Sequence, residues 1–194
     1  MNANDFCDFV SALPRLKSVN EESTLAELEN AYDTGTLEED IIIGVWIAKR
    51  LPDHLETIDE LGDLDECLDI CPPALKHCVM DRATRILEAV INPRDLIRLY
   101  CRSSCDEFNP LFYARFIVII GTIDDIDELA EIYESGQLQW AWDSIVSKRF
   151  AHLLPQKLGT FSTTERLDEW FKKIHTDLQS LVVIAIEAML TKES

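Results

Sequence analysis

Apolar residues in this chain recur at helical rather than strand spacing. The clearest instance pairs two segments. Leu25, Leu28 and Tyr32 lead to Gly35 and Leu37, and Ile126, Leu129 and Tyr133 lead to Gly136 and Leu138. In each, apolar residues stand at the first position and three further on, with Tyr at seven, Gly at ten and Leu at twelve. Positions 0, +3 and +7 lie on one stripe of an α-helix, so each segment predicts a helix with one buried face. Weaker copies begin at Leu64, Pro93 and Leu167. The tyrosine position then recurs at Tyr32, Cys71, Tyr100, Tyr133 and Ile174, at intervals of 39, 29, 33 and 41 residues.

A second apolar-periodic stretch follows each copy: 41–51, 79–90, 112–120, 142–154 and 181–190. The pattern therefore predicts five units of helix, turn and helix, with first helices near 24–35, 63–72, 93–102, 125–135 and 165–175. Start signals agree. Thr24, Asp63 and Asp125 stand where an N-cap side chain accepts from the first free amides, with acids in the turn that follows. Gly35 and Gly136 suit a left-handed helix end, and Pro72-Pro73 stops its helix. One such unit cannot hide its own apolar face, so neighbours must stack to make a core. The expectation is an all-α, short right-handed α-solenoid occupying residues 1–194 as one domain. Two-helix units at these intervals resemble the HEAT-like α-solenoid repeats. The resemblance covers about residues 24–190 and rests on pattern, not on signature residues. The spaced Trp, Gly, Tyr and Ala of tetratricopeptide repeats are not met.

Composition supports a folded helical chain. Of 194 residues, 47% are hydrophobic, and 6 Gly and 7 Pro are too few for the frequent turns of a β-sandwich. The longest apolar runs, 116–121 and 181–186, fall far short of the roughly 20 residues of a membrane span. The first residues are acidic and do not read as a signal peptide, which makes a cytoplasmic protein with reduced cysteines the expectation.

Charge changes the picture more. The net charge is −18, and residues 20–69 hold 16 acids against Lys49 and Arg50 alone. The window 76–115 carries seven basic and five acidic residues. A field of one sign over the first third repels phosphates and draws basic surfaces. Direct nucleic-acid binding is therefore not expected, and a basic protein partner is.

Candidate chemistry is sparse. Cys67 and Cys71, and Cys101 and Cys105, form two Cx3C pairs that a helix would turn to one face, as zinc requires. Cys67 and Cys71, however, occupy positions held by Leu or Tyr in other copies, where reduced cysteine serves as a small buried hydrophobe. His54, His77, His152 and His175 lie far apart and in no H-E-x-x-H motif, and no glycine-rich phosphate loop or G-x-S-x-G appears. No catalytic residue, metal or cofactor is assigned.

The carboxylates cluster at predicted helix starts, where the helix dipole favours them by a few tenths to ~1 kcal/mol each. Glu38, Glu39, Asp40, Asp59, Glu60 and Asp63 form one group, and Asp124, Asp125, Asp127 and Glu128 the other. With Trp140 as an exposed anchor, these are the expected partner-binding residues. Trp142 falls on the apolar stripe with Ile145, Val146 and Leu153. A small acidic chain without a catalytic motif resembles bacterial immunity proteins, which implies an inhibitor covering the basic cleft of a toxin or effector. Nucleic-acid mimicry against a DNA-processing enzyme, and a general adaptor using an apolar surface, are the alternatives.

Overall fold

A computed structural model describes residues 16, 18–32, 36–71, 73–135 and 140–192, with the backbone alone at 69, 70, 140, 141 and 192. Among the described residues every regular element is helical, as the periodicity predicts. The ten α-helices among these residues are α1 Leu25–Ala31, α2 Leu37–Glu56, α3 Leu61–Ile70, α4 Lys76–Glu88, α5 Pro93–Arg102, α6 Asn109–Thr122, α7 Ile126–Glu134, α8 Trp140–Leu158, α9 Thr164–Phe171 and α10 Thr176–Lys192. Short 3₁₀ turns at Pro73–Leu75 and Asp106–Phe108 lead into α4 and α6. The chain forms two compact units, Met1–Ile86 and Leu87–Ser194, whose boundary falls inside α4.

Side chains of Thr, Asn and Asp close five of the ten described helix starts. Thr24 and Thr36 each make a capping box with the Glu three residues on. Asn92, Asp125 and Thr163 cap α5, α7 and α9. A cap of this kind is worth ~1 kcal/mol because it satisfies an amide that the helix cannot. The second start signal falls differently from expectation. Glu60, not Asp63, is the N-cap of α3, and Asp63 lies in its first turn. Leu61 is buried, and its burial draws the helix start back by one turn. The two glycine helix ends, Gly35 and Gly136, lie outside the described residues.

A recurring arginine sets the architecture. In four consecutive second helices an arginine reaches back to a carbonyl in the loop that precedes its own first helix. Arg50 donates Nε and Nη2 to the Glu21 carbonyl at 3.1 and 2.7 Å. Arg82 does so to Ile58 at 2.9 and 2.8 Å, and Arg115 to Val90 at 2.9 and 2.6 Å. Arg149 gives Nε to Ile123 at 3.0 Å and Nη2 to the Asp124 carboxylate at 2.6 Å. The bonds to Ile58, Val90 and Ile123 are partly buried, where a carbonyl needs such a donor, and a hydrogen bond to a charged group contributes about 1.5–3 kcal/mol. In the last three cases the guanidinium also sits just past the C-terminus of the preceding helix, where the helix dipole favours a cation.

Around each arginine the core repeats. The residues three before and one after are Ile47 and Leu51, Val79 and Ala83, Phe112 and Phe116, and Val146 and Phe150, all fully buried. These arginines stand 32, 33 and 34 residues apart. In α10 the same spacing meets buried Leu178 and Val182, with Leu181 in the arginine's place. The first helices follow suit: Leu28, Leu64, Leu96 and Leu129, each three residues into its helix, are fully buried. This register corrects the tyrosine-based alignment in two copies, which begin at Leu61 and Thr164 rather than at Leu64 and Leu167. Residues three apart share a helix face, so apolar spacing alone cannot tell the two registers apart. Within the second unit α5 packs on α6, α7 on α8, and α8 on both α6 and α10.

Candidate protein-binding surface

The expected acidic sites fall into three situations. Some acids are used up by the fold. Glu39 is 2% exposed, and its carboxylate accepts from the Thr36 amide at 2.9 Å, so it is a capping residue and not a surface one. Asp125 caps α7 by accepting from the Asp127 amide at 2.9 Å. Asp127 accepts from Trp170 Nε1 at 2.6 Å and from Lys157 Nζ at 2.7 Å. Burial pushes its carboxyl up, but those two hydrogen bonds, with the charges of Lys157 and Lys173, outweigh it and hold Asp127 below the ordinary aspartate value. Lys157 also lies over the rings of Phe161 and Trp170, at 5.8 and 5.6 Å. The group ties α7, α8 and α9 together.

A second set is half-engaged. Asp59 and Asp124 are nearly fully exposed, yet each receives its latch arginine, Arg82 at 3.0 Å and Arg149 at 2.6 Å. Asp40 is partly buried, with one carboxylate oxygen enclosed and without a hydrogen bond. The third set, Glu38, Glu60, Asp63 and Glu128, faces solvent. The side chain of Trp140 lies outside the described residues, and Trp142 is buried as its stripe implies.

Of these acids, Asp63 enters the larger of two clefts. Between α1, the end of α2 and α3 lies a cleft of about 400 Å³, lined by Glu29, Asp63, Glu66, His54 and Cys67 among others. None of its lining residues is Lys or Arg. Burial, and then the neighbouring Glu66, push the Glu29 carboxyl up, with His54 partly offsetting them. Carboxylates that repel one another at close range are stabilised by an incoming cation. A smaller cleft of about 130 Å³ in the second unit is lined by Asp124 and Asp125, but Lys157 stands in its wall. The two acidic groups that look alike in sequence therefore differ: one cleft has no lysine or arginine in its lining, and the other carries Lys157.

Sequence reading missed Glu29, Glu66 and His54 as a set, because they come from three helices and only folding joins them. It also missed the arginines, whose regular spacing was visible. A further polar group joins Tyr133, which donates to Asp177 at 3.2 Å, with the His175 ring 5.1 Å from the Tyr133 ring. Burial, then Asp177 and Asp143, push the Tyr133 phenol up, so it stays protonated and serves as a donor.

The cysteines behave as core residues where they are enclosed. Burial first, and nearby acids or thiols after it, push Cys67 and Cys71 up to about 11. Thiolate is the metal-binding and nucleophilic form, so both are poor at either task. Cys101 is exposed at the end of α5 while Cys105 is buried beyond it, which leaves that pair without a shared helical face.

Comparison with protein-family models, curated proteins and solved structures returns no match.

Proposed function

We infer that this chain is a short, right-handed α-solenoid of about five two-helix repeats that works as a non-catalytic protein-binding module. Its acidic first unit engages a basic partner. The mode of action is that of an immunity or inhibitor protein, which neutralises a toxin or effector by covering a basic surface. The observation that carries this reading is the cleft of Glu29, Asp63 and Glu66, which has no lysine or arginine of its own. A lysine or arginine from a partner fits that site by charge and by size. The exposed acids around it raise the encounter rate at a distance. The four arginine latches at near-constant spacing support the repeat architecture.

The test is a titration against a panel of basic toxin and effector domains, at low and high salt. One member binds with an affinity that falls at least about tenfold at high salt. The Glu29→Gln, Asp63→Asn, Glu66→Gln variant weakens it by a similar factor. Binding that ignores both salt and the triple substitution, or no binding across the panel, ends this reading. The adaptor alternative draws support from a different observation: the exposed large apolar residues lie almost wholly on second helices, α2, α6 and α10.

A further inference from the structure

The arginine latch puts the second helices in one register, and in the second unit that register lines up an apolar band. Two and three residues beyond the latch position stand Ile117 and Val118 in α6, Ala151 and His152 in α8, and Val183 and Ile184 in α10. All six are exposed, Ile117, Val118, Val183 and Ile184 by 47%, 54%, 44% and 61%. Because α6 packs on α8 and α8 on α10, equivalent positions on the three helices form a row. Tyr113 on α6 and Leu190 on α10 extend it. The apolar side chains of this band expose on the order of 600 Å², the upper end of what a monomer leaves open without using it.

The band is also where the charge is lowest. Arg115 is the only charged residue of α6, and its guanidinium is turned away to the Val90 carbonyl. Across the three helices the exposed charged side chains described are Lys148, Asp177 and Glu187. In a chain of net charge −18 this face is close to neutral. At the same register in the first unit stand Pro52 and Asp53, and Thr84 and Arg85, so the band belongs to the second unit alone.

We propose that this band is the surface through which the protein binds a second copy of itself. Two molecules so acidic repel each other over most orientations, and a near-neutral face is where that repulsion is least. A twofold pairing sets the band against itself, so an apolar row meets an apolar row without a complementary partner being needed. Two copies bury about 1,200 Å² together, the lower edge of a stable specific interface, which suits a reversible dimer. A basic partner does not fit here, since the band offers it almost no acid. The inference therefore stands apart from the function assigned to the cleft.

Salt separates the two. Screening removes the long-range repulsion between copies, so dimerisation tightens as salt rises, whereas capture of a basic partner weakens. The experiment is sedimentation equilibrium of the full chain, from micromolar to sub-millimolar concentration, at low and high salt. The unmodified chain moves from 22.2 kDa toward twice that mass, and high salt lowers the dissociation constant several-fold. The Ile117→Glu, Ile184→Glu double variant stays monomeric with an unchanged helical melting curve. The control Ile41→Glu, on the exposed side of α2 in the first unit, dimerises like the parent. A chain that is monomeric throughout at high salt overturns the proposal, as does a dimer that survives the double substitution or is lost in Ile41→Glu.

Discussion

The two units share an internal plan and differ in what fills and faces it. Both hang a two-helix unit on an arginine that clasps a loop carbonyl, with buried residues at the same offsets around it. Inside, the first unit is aliphatic, built on Leu28, Ile43, Ile47, Leu51 and Leu64. The second is aromatic, built on Phe108, Phe112, Phe116 and Phe150. Outside, residues 1–86 carry nineteen acids and seven bases, whereas residues 87–194 carry seventeen and eleven. One cleft of the first unit has no lysine or arginine in its lining, whereas Lys157 stands in the wall of the second unit's acidic cleft. One backbone plan thus tolerates both a charged and an apolar exterior, because the latch and core offsets consume only one face of each helix.

The largest expected effect tests whether the offsets are equivalent in the two units. Phe150→Ala, one residue past its latch arginine, opens a cavity and costs about 3–5 kcal/mol, and Leu51→Ala at the matching position costs about 2–5 kcal/mol. Ala83→Gly, also at that position, costs ~1 kcal/mol, chiefly through helix propensity. Urea unfolding of the three variants checks this order; a large loss at Phe150 with little loss at Leu51 would break the equivalence. Next come the latches. Arg82→Met in the first unit and Arg149→Met in the second each leave a loop carbonyl without its donor, for about 1.5–3 kcal/mol apiece. Similar shifts in the urea midpoint are expected, and no shift in either would remove the arginine from the plan.

Smaller effects sharpen the electrostatic contrast. Asp127→Asn removes the partner of Lys157 and Trp170 and destabilises by about 1 kcal/mol, while neutralising Glu29, Asp63 and Glu66 together stabilises by up to ~1 kcal/mol at low salt. Opposite signs in paired melting curves are the expected result. The pH dependence runs the same way. Asp127 is lowered from 3.8, so its contribution is present above the unfolded value and disappears as pH falls through the folded one. Glu29 is raised from 4.5, so it favours the fold while protonated, and that contribution is lost as pH rises through its folded value. Carboxyl-carbon NMR titration places the two midpoints on opposite sides of their ordinary values, and a shift of either in the other direction contradicts the account. The slightest perturbation is thiol labelling near pH 8. Cys101, which is exposed, reacts ahead of Cys67 and Cys71, which, with thiols pushed up to about 11, lag by orders of magnitude in mass-resolved alkylation.

Much of the helical content was legible in the chain, and for a clear reason. The stripe Leu25, Leu28, Tyr32 and its partner Ile126, Leu129, Tyr133 can be buried only by a helix, and Thr24 and Asp125 mark where it starts. Less was legible where two registers bury the same face, as at Leu61 and Leu64, or where a cap competes with a nearby buried leucine, as at Asp63. The acids were readable as a field but not as a site. Glu39 looks like its neighbours in sequence and is the one turned inward, because a capping box needs a glutamate at that third position.

Local periodicity and end signals belong to the sequence because they depend on neighbours within a turn or two of the same helix. That is enough to specify an all-helical chain of paired helices with an acidic first third. Which carboxylates gather without a lysine or arginine, which are spent on arginines, and which apolar residues are left outside depends on side chains 24–44 residues apart meeting across helices. Tertiary packing alone decides those meetings, since each helix can present several faces and only its neighbours select one.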